Sequence, residues 1–422
     1  MTEEQKNRKR ALLGSLFTPG APVSTQDLFA GRIAQIDRVL DAVFQVGTHP
    51  IIFGERGVGK TSLANVILKI LTVKPPGMEK PLMAFAHRVP CDTNDSFVSA
   101  WRKFFKQIVT TYSGTGFGQQ EVRVQGETLA SRIPDDAGSS EVMSVLQTIP
   151  RSVVVFDEFD RLRNQKSIAL FADCIKTLSD AEVNTTIIIV GVADNISNLI
   201  REHSSIKRNI KEIKMDRMTQ LELQGILTTR YPKCSMNFEQ NIPIIVGRLS
   251  QGFPHYSHAL GLEAGRAALN RDSDTVMLED IKTATKQLVE NAENSIQEEY
   301  VNAVHSSHKE SLYKEVLLAC ALTEADERGF FVPAGVRAPM TAIMRKKFDI
   351  PTFARHLSNF CKENRGNVLQ RQGQKHGYRY RFSNPLLRPY VYLRGITSEL
   401  VPEDYSPFII PPKKEDELPF QE

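Results

Sequence analysis

The chain has 422 residues, 41% hydrophobic and 24% charged, which suits two or three globular domains, each with its own core. No apolar run nears the eighteen or so residues of a membrane span, and the charged start MTEEQKNRKR lacks an apolar signal core. The net charge of +4 conceals an asymmetry: Arg337 to Arg394 holds thirteen Lys/Arg against two acidic residues, an excess of +11 that leaves −7 elsewhere.

In chain order, residues 1–27 read as a polar arm ending in TPGAPVSTQD. GRIAQIDRVLDAVFQV follows, with Ile33, Ile36, Val39, Leu40, Val43 and Phe44 on one helical face. HPIIFG is a short buried strand that runs into a glycine loop, and TSLANVILKILT is the helix after it. MAFAHRVPCD predicts a strand and SFVSAWRKFFKQIVTTY a helix. Residues 113–140, rich in Gly, Ser and polar side chains, predict a long surface excursion. SVVVFDEFD and TTIIIVGVADN are two more buried strands. β-Branched runs alternating with amphipathic helices indicate a parallel sheet covered on both faces.

After Met215 helical patterns dominate to about Asn302, and HSSH at 305–308 marks a junction. Residues 311–393 read as three helices and then two short strands. The last twenty or so residues, with PPKKEDELP and no apolar periodicity, read as disordered. Five scattered cysteines without a C-x-x-C pair suit reduced thiols, not a disulfide or zinc framework, so a cytoplasmic protein without membrane association is expected.

GERGVGKTS (54–62) fits G-x-x-x-x-G-K-[ST] through Gly54, Gly59, Lys60 and Thr61. Glycines let backbone N–H groups turn inward around phosphate, and the helix that starts at the lysine aims its positive end at the same anion. Gly54, Gly57, Val58, Gly59 and Ser62 are therefore expected around the phosphates of ATP. Lys60 should reach the β- and γ-phosphates, and the Thr61 hydroxyl should ligate Mg²⁺. In VVVFDEFD, Asp157 can hold the Mg²⁺ through its water shell, while Glu158 can orient and polarise an attacking water. A strand-end surface charge is the plain alternative for Glu158. Asp160 suits a local turn or ion pair.

These segments, in this order and at these separations, resemble the AAA+ superfamily over residues 28–300. More narrowly, they resemble the clade of origin-recognition initiators, transposon-encoded target-selection ATPases and STAND signalling ATPases. The resemblance implies an α/β fold, a parallel-sheet P-loop core with a helical lid. It places Gly31 and Arg32 of FAGR on the adenine side. Asp194 takes the γ-phosphate sensor position, with Asn195 as the alternative. In REHSSIKRNIKEI it implies an arginine finger acting on a neighbouring subunit's ATP: Arg208 first, Arg201 second, with plain surface charge as the other reading of Arg208. In SQGFPHYSHAL, Gly252 and Pro254 would pack by the adenine. His255 would sense phosphate in a pH-dependent way or serve only as a satisfied helix-cap histidine.

The C-terminal segment has a winged-helix pattern: SLYKEVLLACAL, PMTAIMRKKF and PTFARHLSNFCKEN as helices, then NVLQRQG and YRYRFS as a hairpin joined by QKHG. Arg371, Lys375, His376, Arg379 and Arg381 fall on the wing, and Arg355 and Lys362 on the third helix, where they suit phosphate contacts. Tyr378, Tyr380 and Phe382 share one face and read as core. A solvated basic face is the plain reading of the whole segment. The expected domains are an arm (1–27), the AAA+ core (28–214), a lid (215–304), a winged helix (305–396) and a tail (397–422). The resemblance implies a homo-oligomeric, ATP-hydrolysing switch, and the +11 segment favours one that engages DNA. Its rival is a signalling ATPase, for example in antiviral defence, whose assembly controls a separate effector protein. A P-loop phosphotransferase is a third option, against which the Asp-Glu pair and the helical lid argue.

Overall fold

The computed structural model describes residues 1–23, 31–115, 121–181, 183–192, 204–306, 311–326, 328–374 and 377–409. Asp194, Asn195, Arg201, Lys375 and His376 lie outside the described residues, as do residues 410–422. The chain divides into two compact units, Ala21–Asp216 and Met1–Gly20 with Arg217–Glu422.

The polar arm begins with a helix, α1 (Glu3–Leu16), opened by a capping box between Thr2 and Gln5. It belongs to the second unit. The first unit starts with α2 (Ile33–Phe44), where Ile36, Val39 and Val43 are buried. Ile33 and Phe44, the end residues of this helix, are 70% and 42% exposed, so the apolar face is narrower than its sequence suggested. Then follow β1 (His49–Gly54), α3 (Lys60–Thr72), β2 (Phe85–Pro90) and α4 (Phe97–Phe105). α4 stops well short of Tyr112, because the β-branched run at Val109 enters a strand instead. The surface excursion is a two-stranded antiparallel hairpin, β3 (Val109–Thr115) and β4 (Glu121–Thr128). α5 (Ser139–Leu146), β5 (Ser152–Asp157), α6 (Gln165–Asp180), β6 (Thr185–Gly191) and β7 (Ile210–Met215) complete the unit.

The sheet has the order β2-β5-β6-β1-β7, and every pairing is parallel. All of β5 is buried, as expected of a central parallel strand covered on both faces. The edge strand β7 was not legible in the sequence. Its IKEIKM buries only Ile213 and Met215, and its charges sit where an edge strand tolerates them. Trp101, Phe97, Phe104, Phe156 and Phe171 pack into an aromatic core, largely edge to face. Because the strands run parallel, the carboxyl ends of β1, β5 and β6 share one edge.

In the second unit, Phe17 and Leu13 of the arm are buried against α9 (Pro254–Asn270), which comes after α7 (Gln220–Lys233) and α8 (Ile242–Ser250). Gly261 and Gly265 of α9 make room for them: a Cβ at Gly261 would lie 2.4 Å from Phe17. β8 (Asn237–Phe238) and β9 (Thr275–Val276) pair in parallel, and α10 (Leu278–Glu290) and α11 (Asn294–Val304) follow. Next come α12 (Tyr313–Leu322), α13 (Pro333–Met344), α14 (Ile350–Asn359) and the antiparallel pair β10 (Leu369–Gln372) and β11 (Arg379–Phe382). Lys362 lies beyond the end of α14, not on it, because the helix closes at Asn359. A further helix, α15 (Leu387–Thr397), buries seven of its eleven residues and so lacks the polar face that would have marked it in the sequence. The expected tail is placed as far as Ile409, whose carbonyl accepts from Arg248 Nη1 at 2.8 Å. Among the described residues no helix is long and apolar enough to cross a membrane.

Candidate nucleotide site

Two different constraints require glycine in the loop after β1. At Gly54 an added Cβ would lie 2.2 Å from the Met215 carbonyl oxygen of β7, so close strand packing demands glycine there. Gly57 and Gly59 have φ of 86° and 95°, where a side chain would be strained, yet a Cβ at Gly59 would meet nothing within 4 Å. The loop is thus shaped by backbone conformation, with open space beside it. Val58 is buried beneath it. α3 begins at Lys60 without a side-chain cap, leaving first-turn N–H groups for an anion.

Lys60 Nζ donates to the carbonyls of Gly54 at 3.0 Å and Glu55 at 2.7 Å. Burial lowers its pKa to about 8, against the opposing pull of Asp160, Asp157 and Glu55. Ser62 Oγ accepts the Val23 N–H at 3.2 Å, and Thr61 is half-buried in the first turn of α3.

Asp157 ends β5 and is 3% exposed. Its Oδ2 lies 3.1 Å from Arg88 Nη1, and its Oδ1 accepts the Glu158 N–H at 2.9 Å. Glu158 itself sits at φ 54°, a sparsely populated conformation for a non-glycine residue. Its Oε2 lies 2.8 Å from Arg161 Nη1, both side chains being about half exposed. Asp160 Oδ1 accepts the Val192 N–H at 3.0 Å, tying the end of β5 to the chain that leaves β6. A hydroxyl at Thr61 and carboxylates at Asp157 and Glu158 are all hard oxygen donors, which fit Mg²⁺ better than a soft metal.

Other sequence-predicted residues have local partners. Gly31 and Arg32 both take the left-handed conformation, and the Arg32 guanidinium donates to the Asp216 carbonyl at the end of β7. Arg208 is exposed and pairs with Asp180 of α6 at 3.1 Å. In the second unit, Gly252 has φ 90° and its carbonyl accepts the Met218 N–H, while Pro254 is the first residue of α9. His255 Nδ1 lies 2.8 Å from the Pro19 carbonyl, so that nitrogen carries the proton, and the ring does not cap the helix. Arg88 and Arg161 belong to no motif legible in the sequence. The signal for Arg88 was a charge inside the strand MAFAHRVP.

The basic segment is divided by strand register. On β11, Arg379 and Arg381 share one face, with their guanidinium carbons 5.1 and 4.8 Å from the centre of the Phe330 ring. Gln372 and Gln370 accept from them at 3.0 and 2.9 Å, and Asp326 pairs with Arg379 at 3.4 Å. Arg371 stands opposite Tyr380 in the ladder, and so on the other face, over the Tyr378 ring at 4.4 Å. Tyr380 and Phe382 are buried, Tyr378 is half-buried, and Arg355 is exposed on α14.

An AAA domain family matches residues 46–200. No curated protein matches the chain. Among solved structures, a Walker-type ATPase of Pyrococcus abyssi superposes with a TM-score of 0.50 at 15% identity, covering 89% of this chain and 99% of its own. The Aeropyrum pernix ORC1 protein, solved in complex with DNA, gives 0.47 at 12% identity over 88% and 94%. Cdc6p from Pyrobaculum aerophilum gives 0.43 at 13% over 92% and 98%. At 15% identity the likeness to the Pyrococcus abyssi ATPase is one of fold. The parallel five-stranded unit, with its Gly54–Thr61 loop and its Asp157–Glu158 strand end, has the α/β fold of P-loop AAA+ ATPases.

Proposed function

We propose that the chain is an ATP-hydrolysing switch that assembles with copies of itself and engages DNA. The observation that carries the ATPase reading is the glycine loop, held open by backbone conformation, with Lys60 electrostatically coupled to Asp157 across the same sheet edge. Thr61 and Asp157 would hold Mg²⁺, which when bound offsets phosphate charge. The N–H groups of Gly57–Ser62 receive the phosphates, and Lys60 leaves its two carbonyl partners to neutralise the γ-phosphate as charge develops. Glu158, released from Arg161, orients and polarises the attacking water. Arg208 of one copy serves the site of the next, and Gly252, Pro254 and His255 report on the nucleotide from the lid. Asp194 or Asn195 supplies the γ-phosphate sensor, and Gly31 and Arg32 border the adenine.

Two substitutions test this division of labour. Lys60→Ala should abolish ATP binding, whereas Glu158→Gln should bind ATP and fail to turn it over. Turnover per subunit should rise with protein concentration, and Arg208→Ala should lower it with ATP affinity kept. Near wild-type hydrolysis by Glu158→Gln removes Glu158 from the mechanism, and flat specific activity removes the arginine in trans.

For the C-terminal segment we read α12–α14 and the β10–β11 hairpin as a winged helix. Its partner is duplex DNA, bound through phosphates. The local excess of +11 and the donor-rich face of Arg379, Arg381, Gln370 and Gln372 support that reading.

A further inference from the structure

Asp157 is nearly inaccessible to water, and both of its oxygens are engaged by the chain itself. One accepts a backbone N–H; the other meets a guanidinium. The guanidinium comes from β2, the strand hydrogen-bonded to β5. There Pro90 stands opposite Asp157 and Arg88 opposite Val155, so the Arg88 side chain runs toward the carboxyl edge to reach its partner. Three other cations near this edge have partners of their own. Lys60 donates to Gly54 and Glu55, Arg161 to Glu158, and Lys103 to Asp92 and Asp95. Among the described residues, Arg88 is the ion-pair partner of Asp157.

A buried carboxylate needs a counter-charge, and removing its partner is costly. Mg²⁺ bound through its water shell would be such a counter-charge, and the same Asp157 oxygens would have to face it. Guanidinium and hydrated metal therefore compete for Oδ2. An arginine stays charged at any accessible pH, so protonation cannot lift this competition; only displacement can. The Arg88 side chain is 34% exposed, which leaves it room to turn outward when displaced.

We propose that Arg88 is a positioning residue: it holds Asp157 in the metal-free chain and sets the Mg²⁺ concentration at which the site loads. This rests on the reading that the site takes Mg·ATP. The pair balances the carboxylate's charge within the chain, so that metal and nucleotide together, more than either alone, displace the guanidinium.

The test is a Mg²⁺ titration of full-length protein with a fluorescent ATP analogue at fixed concentration, read by binding and not by turnover. In Arg88→Gln the half-saturating Mg²⁺ should fall about three- to tenfold, with analogue affinity at saturating Mg²⁺ unchanged. In EDTA without nucleotide the same variant should melt at a lower temperature than wild type, and Mg²⁺ with nucleotide should close the gap. Arg88→Lys, which keeps a charge but loses the planar fork, should fall between the two, and it serves alone if Arg88→Gln does not fold. An unchanged or raised Mg²⁺ midpoint in folded variants overturns the proposal while leaving the nucleotide site standing. Failure of the wild type to bind the analogue at any Mg²⁺ concentration overturns both.

Discussion

Arg161 Nη1 lies 2.8 Å from Glu158 Oε2, so the carboxylate expected to handle the attacking water is held by the turn that follows it. Held this way, the carboxylate is turned toward Arg161, and one of its oxygens is already engaged. Both side chains are about half exposed, so solvent screens the pair and leaves it weak. Arg161→Gln should therefore raise basal turnover by about two- to fivefold, with KM unchanged. A steady-state kcat and KM comparison decides it. A fall in kcat would mean that Arg161 aligns Glu158 for catalysis instead of restraining it.

Gly54 and Gly59 are required for different reasons, and alanine at each should fail differently. Gly54→Ala drives a Cβ into the Met215 carbonyl of β7, a backbone atom that cannot move aside cheaply. The β1–β7 pairing must open, at a cost of about 2–4 kcal/mol. Gly59→Ala meets open space and costs only its unfavourable φ of 95°, about 1–2 kcal/mol. The single tryptophan, Trp101, lies in the core of this unit, so its fluorescence during urea unfolding reports both losses. Equal destabilisation would refute the distinction. Gly59→Ala should also lose nucleotide binding at a temperature where it remains folded.

A pH dependence follows from His49 at the start of β1. The ring is 2% exposed, and its Nδ1 accepts the Ile187 N–H at 2.9 Å, which requires that nitrogen to be unprotonated. Burial lowers its pKa to about 4, from 6.5 when exposed. Between those values the unfolded chain binds the extra proton, so stability is fully present above pH 6.5 and is lost as pH falls toward 4. From pH 7.5 to pH 5 the loss should be about 2 kcal/mol. His49→Asn, which keeps an acceptor for Ile187 and removes the titration, should flatten that part of the profile. Trp101 fluorescence at the two pH values measures it, and an unchanged slope in the variant would assign the loss to other groups.

The parts of this chain visible in its sequence are those where a local pattern matches a local need. VVVF is apolar throughout because β5 is covered on both faces, and G-x-x-x-x-G-K-T is set by the backbone of a single loop. The parts that escaped depend on partners far along the chain. β7 hides behind Lys and Glu because only its pairing to β1 makes it a strand. α15 shows no amphipathic stripe because neighbours cover most of its circumference. Arg88 reads as one more strand charge until β2 is laid beside β5. The alternation along YRYRFS correctly grouped Tyr380 and Phe382, yet it could not assign Arg371 to a face, since that depends on the register of the opposite strand.

That register sharpens the test of DNA engagement. Arg379 and Arg381 flank Phe330 on one face, stacked in place and further fixed by Gln372 and Gln370, whereas Arg371 stands on the other. If the first face holds duplex phosphates, each contact releases condensed counterion and adds about −0.9 to the slope of log K against log salt. Replacing Arg379 and Arg381 together by Gln should flatten that slope by about two units, without changing sequence preference. Arg371→Gln should leave it nearly unchanged. ATPase activity should survive all three substitutions, because the nucleotide loop belongs to the other unit. Titrations with a fluorescent duplex at several salt concentrations measure the slopes directly. Equal effects from Arg371 and the Arg379–Arg381 pair would refute the assignment of faces. Should duplex DNA fail to bind even at low salt with ATP present, the basic face must meet an acidic protein surface instead, and the signalling ATPase with a separate effector becomes the reading of choice.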